Sequence, residues 1–423
     1  MMLAAIYVTV MGIIFAKTMC HNLLMIPGPV EFTDTVLAAA GGQPMSHMDK
    51  SFAGQFGEAI ELLRQVALTK TGQPFILAGS GSLGWDIFAA NFIESGEHVL
   101  VINTGYFGDR FVDTFEAYNI TVTQVHTTLP GTPPSLLDVE SAIKAASVPF
   151  KAVTITHVDT STGVLMDVKK VAALVRTLLP SALIVVDGVC SFGAESLFFD
   201  DWDVDFVLTA SQKALGVPPG LCVVIASQRA LSVLDARSTS VPSYYANLKK
   251  WLPIMRAYEA KTPAYFATPP VQLVQALQVS LLEILRGSDM AGRFAHHVEV
   301  SNYVKDKVES WGLKLVTTSR EAEAHTLTAV YLPTGVTLPD LLPKVLKQGV
   351  MIGGGLHVNI APKYFRIGHM HISSLNTSLG HIDTTLSAIQ AALLETGYDV
   401  QKQMAEPEWV PRGKSSATGH DEL

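Results

Sequence analysis

Apolar and polar positions along this chain fall into two kinds of block. Between residues 52 and 226, short solid runs of Val, Ile, Leu and Ala alternate with longer segments whose apolar residues stand three and four apart. The first kind marks strands buried on both faces, the second helices with one buried face. Residues 52–68 read as an amphipathic helix, with Phe56, Ile60, Leu63 and Val66 on one side. Strands are predicted at 75–78, 98–102, 121–125, 152–156, 183–186, 206–210 and 222–226. Helices are predicted between them at 83–92, 107–118, 136–146 and 168–179. Such alternation implies an α/β fold, with a mainly parallel central sheet covered by helices on both sides.

After Pro270 the texture changes. Long helices are expected at 271–285 and 293–311, then a strand at 326–332, a helix at 338–347, a strand at 364–367 and a helix at 382–395. This reads as a smaller α+β domain. The organisation expected is an apolar segment over 1–20, a large domain over 21–270, a small C-terminal domain over 271–398 and a disordered tail over 399–423.

Composition adds exclusions. With 423 residues and 48% hydrophobic content, the chain is long enough for two cores. A formal net charge of -8 argues against a nucleic-acid partner. Cys20, Cys190 and Cys222 are too few and too scattered for a disulfide framework or a zinc site, so no metal is expected. The apolar run Leu3–Ala16 is too short for a stable membrane span but has the length of a signal-peptide core. The last four residues, His420-Asp421-Glu422-Leu423, spell an ER-retention address. The alternative is translation from Met19 with a chance tail. Asn119-Ile120-Thr121 and Asn376-Thr377-Ser378 are sequons that a luminal protein could glycosylate.

Four stretches carry candidate chemistry. In Val207-Leu208-Thr209-Ala210-Ser211-Gln212-Lys213, a lysine leaves an apolar strand among small residues. A buried amine loses basicity and gains nucleophilicity, which suits attack on a carbonyl. A lysine at an exposed strand end is the alternative. Gly79-Ser80-Gly81-Ser82-Leu83-Gly84 is a G-x-G-x-x-G between strand and helix. A dinucleotide would need an acid ending the next strand, and that strand ends in Asn103-Thr104-Gly105. A helix N-terminus with two hydroxyls suits a single phosphate instead. Asp187 ends the apolar strand Leu183–Val186, on the ligand side of an α/β sheet, where a turn aspartate is the alternative. The loop His157-Val158-Asp159-Thr160-Ser161-Thr162-Gly163 offers hydroxyls. Arg366, between Phe365 and Ile367, is a candidate carboxylate clamp.

Taken in order, LMIPGPV, FILAGSGSLGWDIF, THVDTSTGVL, VVDGVCSFG, LTASQKALG, AYFATPPVQL and YFRIGHM resemble the alanine–glyoxylate / serine–pyruvate aminotransferases. These are class V members of the fold-type-I pyridoxal-phosphate enzymes. The resemblance runs from about Leu24 to about Leu394 and is closest to the fungal alanine–glyoxylate form. It implies a large cofactor-binding domain, a smaller C-terminal domain and pyridoxal 5'-phosphate as cofactor. Lys213 matches the Schiff-base lysine and proton shuttle, and Asp187 the partner of the pyridine nitrogen. Ser80, Gly81, Ser82 and Gln212 match phosphate-binding positions; Ser82 departs from the histidine of some relatives. Thr160 matches a hydroxyl near the ring oxygen. Phe107 matches the stacking aromatic, often a tryptophan, with Tyr106 as a rival. Tyr265 and Thr268 match residues that reach the phosphate of a neighbouring subunit, which implies a homodimer with sites at the interface. Arg366 matches the clamp for the substrate carboxylate, and Gly28 a lining residue of the substrate pocket. His47, His357 and His369 are expected to be structural or secondary.

The expected reaction takes small amino acids and 2-oxo acids as partners. Alanine and glyoxylate become pyruvate and glycine, which serves glycine synthesis or glyoxylate removal; serine–pyruvate or serine–glyoxylate exchange on the same site is the alternative. Peroxisome or cytosol follows from the resemblance, ER lumen from the two ends. Cysteine desulfuration would need a cysteine in the small domain, and none follows Cys222. A non-catalytic relative would be expected to lack Lys213, Asp187 or Arg366.

Overall fold

The computed structural model describes residues 21–287 and 289–400. The apolar N-terminal run and the retention-like tail both lie outside the described residues.

The larger part begins with α1 (Asp34–Ala40) and α2 (Lys50–Ala67). Strands and helices then alternate: β2 (Gln73–Ala78), α3 (Ser82–Phe92), β3 (His98–Ile102), α4 (Tyr106–Ala117), β4 (Thr121–Val125), α5 (Leu136–Ala145) and β5 (Ala152–Thr156). A short ribbon, β6 (Val158–Asp159) and β7 (Val164–Leu165), precedes α6 (Val168–Leu178). The sheet is completed by β8 (Leu183–Asp187), β9 (Phe206–Ala210) and β10 (Leu221–Ala226). Its order is β2-β10-β9-β8-β5-β3-β4. The pairs from β9 to β4 are parallel, while β10 runs against both β2 and β9. Every residue of β5, β8, β9 and β10 is buried, which is why these strands read as unbroken apolar runs. The mainly parallel α/β sheet read from the pattern is the fold observed.

Helix ends follow local chemistry. Ser135 and Asp138 form a capping box at α5, and Thr337 and Asp340 form another at α11 (Leu338–Lys347). Two helices between β10 and residue 270 were not in the sequence reading: α7 (Gln228–Asp235) and α8 (Leu248–Glu259). Pro253 inside α8 and its flanking lysines hid a buried face of Leu248, Trp251, Ile254, Met255 and Tyr258.

The rest of the chain comprises α9 (Val271–Gly287), α10 (Met290–Ser310), β11 (Leu327–Tyr331), α11, β12 (Val350–Met351), β13 (Gly353–Gly354), β14 (Tyr364–Gly368), α12 (Ile372–Leu375) and α13 (His381–Glu395). Strands β11, β14 and β13 make an antiparallel sheet. Among the described residues two large hydrophobic cores result, with two small clusters beside them. Val274, Leu277, Leu281 and Ile284 of α9 belong to the first, against α1 and α2, although the sequence pattern began the smaller domain at Val271. The cores part inside α10, with Phe294 in the first and Val300 in the second. The opening strand, β1 (Leu23–Leu24), pairs in parallel with β12, and Met25 is buried in the second core. The segment after it, Ile26–Val30, therefore crosses from the smaller unit to the larger. Among the described residues, no helix is long and apolar enough to cross a membrane.

Candidate active site

The parallel strands direct their carboxyl ends to one edge of the sheet, where α/β folds bind ligands. A cavity of about 160 Å³ opens there. From the turn after β2 and the start of α3 it receives Ser80, Gly81 and Ser82; from the turn between β6 and β7, Thr160; from β8, Asp187; from the loop after β9, Gln212 and Lys213; from α4, Phe107. All eight were candidates from sequence. Trp85, Val158, Val189 and Cys190 complete the lining.

Gly81 is the N-cap of α3 and no side chain caps that end. The positive end of the helix dipole is thereby presented to the cavity, while Leu83 N and Gly84 N donate within the turn to Ser80 O and Gly81 O. A Cβ on Gly81 would lie 2.8 Å from Val189 Cγ2, so glycine permits this close approach. Ser80 and Ser82 are exposed, at the mouth. Gln212 contributes a buried Oε1 that pairs with nothing among the described residues.

Asp187 is 3% exposed. Its Oδ1 accepts from Val189 N and its Oδ2 from Trp85 Nε1, both at 2.9 Å. Burial drives its pKa up to about 6, against the two N–H donors and nearby Lys213. Lys213 is buried, and its Nζ donates to the carbonyl of Pro27. Burial is the main cause that holds its pKa below the ordinary lysine value, and Arg366 adds to it. The loop that carries Lys213 is pinned on both sides. Ser211 Oγ donates to Pro218 O at 2.8 Å and accepts from Leu221 N at 3.1 Å. Arg293, buried at the start of α10, donates to Gly193 O and, at 2.8 Å, to Ala214 O.

A buried carboxylate, Asp159, ties two lining residues together. It accepts from Ser161 N (2.8 Å), Ser161 Oγ (2.6 Å) and Phe107 N (3.2 Å). The start of α4, with Phe107, is thus locked to the loop that carries Thr160. Arg366 reaches in from β14 of the smaller unit. It is half-buried, with Nε donating to Gly354 O (2.7 Å) and Nη1 to Thr160 O (3.1 Å). Gly28 lies against Lys213, in the segment that links the two units.

Tyr265 and Thr268 are exposed and do not line this cavity. Tyr265 rests against the His47 ring, with centroids 5.2 Å apart. Tyr106 points elsewhere as well, under the Arg110 guanidinium at 4.8 Å. His369 is buried and bonds Thr328 Oγ1 through Nε2 at 2.7 Å, a structural role. Trp85, Asp159 and Arg293 were not singled out from sequence. Trp85 stands three residues after Ser82 on the same helix, so helical spacing could have placed it beside the phosphate loop.

The donor set fits a phosphorylated pyridine aldehyde. An uncapped helix end suits a phosphate, a depressed lysine suits an aldehyde, and a buried carboxylate suits a protonated ring nitrogen. Phe107 offers a ring face at the cavity wall.

Comparison with known proteins agrees. The sequence profile of the Aminotransferase class-V family matches residues 34–386. Over 383 residues the chain is 41% identical to alanine–glyoxylate aminotransferase 1 of Saccharomyces cerevisiae, covering 88% of this chain and 98% of that relative. Over 379 residues it is 28% identical to the serine–glyoxylate aminotransferase of Arabidopsis thaliana, covering 89% and 91%. Its fold matches the crystal structure of alanine–glyoxylate aminotransferase from Nostoc sp. with a TM-score of 0.80 at 30% identity, over 88% of this chain and 95% of that one.

Proposed function

The chain belongs to the class-V aminotransferases, and on that premise we propose that it transfers the amino group of alanine to glyoxylate, yielding pyruvate and glycine. The observation that carries the reading is that Lys213 and Asp187 line one cavity while Arg366 bonds the carbonyl of Thr160 in its wall, in a chain 41% identical to the yeast alanine–glyoxylate enzyme. The family implies pyridoxal phosphate. Bound, that cofactor supplies an aldehyde to take up the amino group and a ring to hold the electron pair freed when the α-proton leaves.

In this reading Ser80, Gly81, Ser82 and Gln212 hold the phosphate. Phe107 stacks on the ring, Thr160 donates to its oxygen, and Asp187 faces its nitrogen. Lys213 would hold the aldehyde, and its amine would take the proton from the substrate α-carbon. Its lowered pKa leaves a larger share of the amine neutral, as a base must be. Arg366 grips the α-carboxylate through two parallel N–H donors. Alanine and glyoxylate both carry that carboxylate, so one arginine serves both half-reactions. Gly28 keeps the approach to Lys213 free of a side chain.

Serine as donor is the second reading, favoured by the likeness to the Arabidopsis serine–glyoxylate enzyme. A homodimer is part of the proposal. Ser80 and Ser82 leave the phosphate end open at the surface, and the exposed Tyr265 and Thr268 of a second subunit would close it.

The test is a half-reaction on the purified holoenzyme. Alanine is expected to bleach the absorbance of the lysine-bound cofactor, and glyoxylate to restore it; Lys213→Ala should show neither change. Faster bleaching by serine would replace the donor assignment. A protein with no cofactor band would overturn the reading of the site.

A further inference from the structure

Trp85 stands one turn into α3, and its indole N–H donates to Asp187 Oδ2 at 2.9 Å across the cavity wall. Both residues are buried, at 6% and 3% exposure. The indole is itself fixed. It stacks on Phe111 with centroids 5.8 Å apart and leans on Phe107 at 6.3 Å. The other carboxylate oxygen is held by Val189 N at 2.9 Å. Two donors from different elements therefore hold both oxygens, which sets the plane of the carboxylate and the side it turns to the cavity.

We propose that Trp85 is a positioning residue of the transamination site: its N–H holds the Asp187 carboxylate in one orientation and favours its charged form, so that it can pair with the cofactor's ring nitrogen. The proposal rests on the reading of Asp187 given above.

Burial works strongly against a charge on Asp187, and the groups that face it divide. Lys213 favours the carboxylate and Asp159 opposes it. The Cys222 thiol of β10 is held neutral by its own burial. The N–H donors of Val189 and Trp85 supply the main opposition to burial. An indole N–H only donates, and its bond strengthens when the acceptor is ionised. Phe107 benefits from the same side chain, since the indole backs the ring offered to the cofactor. A single tryptophan thus supports both the ring's nitrogen partner and its stacking partner.

Trp85→Phe keeps an aromatic ring against Phe107 and Phe111 and removes only the donor. In the cofactor-loaded enzyme, the acidic limb of the kcat/KM profile is expected to move up by about one pH unit. A second readout needs no turnover. In the cofactor-free protein, the fluorescence difference between wild type and Trp85→Phe should change with pH as Asp187 titrates, and that change should vanish in an Asp187→Asn background. An unmoved acidic limb with Asp187→Asn inactive would overturn the proposal and leave Trp85 as packing. A fully active Asp187→Asn would overturn the underlying reading of the site instead. If Trp85→Phe fails to fold, wild type against Asp187→Asn decides. A pH-dependent emission change confined to wild type supports the hydrogen bond's role, and identical curves overturn it.

Discussion

Gly28 and Lys213 sit so close that a Cβ on residue 28 would lie 2.6 Å from the lysine Nζ and 2.7 Å from its Cε. Gly28 also has φ +108°, a conformation that side chains rarely adopt. Gly28→Ala should therefore push the amine off its line of attack. A loss of roughly 100-fold in kcat is expected, since a displacement of about 1 Å can cost that much. Stopped-flow bleaching by alanine, with the unfolding midpoint as a control, measures it.

Arg366→Lys keeps a positive charge but loses the planar fork that matches a carboxylate. The loss should appear as a rise in KM of roughly 10- to 100-fold, for amino donor and oxo acceptor alike, because both share the clamp. Steady-state kinetics with each substrate varied in turn would show it. A rise for one substrate alone would mean that the two carboxylates bind at different places.

Arg293 has two backbone carbonyls and His371 Nδ1 as its neighbours, the last at 3.5 Å. Burial lowers its pKa to about 9, so it stays cationic at neutral pH. Arg293→Met leaves Gly193 O and Ala214 O without their donor, at a cost of about 2 kcal/mol in stability. Because Ala214 follows Lys213, the variant should also capture pyridoxal phosphate more weakly. Urea unfolding and absorbance titration report the two effects separately.

Acid should expose an opposition between two buried carboxyls in the cofactor-free protein. Burial would raise the Glu195 pKa, but His325, whose Nδ1 lies 2.7 Å from Oε2, overcomes it and holds the value at about 2. That stabilisation is complete above pH 4.5 and is lost as pH falls through about 2. Asp187, raised to about 6, behaves in reverse: its contribution is complete below pH 3.8 and is lost as pH rises through 6. Each is of order 3 kcal/mol. Glu195→Gln should flatten the stability curve below pH 4.5, and Asp187→Asn should flatten it between 4 and 6. Differences from wild type, by urea titration at each pH, separate these slopes from those of the buried histidines.

Strands 98–102, 152–156 and 206–210, almost wholly buried, coincide with the structure to the residue, as does the more exposed edge strand 121–125, and the buried strands β8 and β10 differ by one residue each. Lys213 and Asp187 were legible because a polar residue ending an apolar strand has one physical place to go. The supports of the site were not. Asp159 was part of a polar loop, and Arg293 only the first residue of a predicted helix. Trp85 was one position of the predicted helix 83–92, with no role of its own. Each owes its role to a partner between 50 and 105 residues away, and no local period records such a contact. Tyr265 and Thr268 drew their meaning from resemblance alone, since a role that needs a second chain leaves no periodic trace in one.

Leu23 pairs with Val350. A ribosome must therefore add more than three hundred residues before the first described strand meets its partner, and the smaller unit cannot close until then. The larger sheet, ending at Ala226, can assemble well before. The turn that sets Pro27 and Gly28 against Lys213 is anchored to the larger unit through Val30 N and Gln212 O, and its other end is fixed when that distant pairing forms. A nascent chain would so carry its lysine in a finished sheet while the substrate side remains unbuilt, and competence to bind amino acids would arrive with the last stage of assembly.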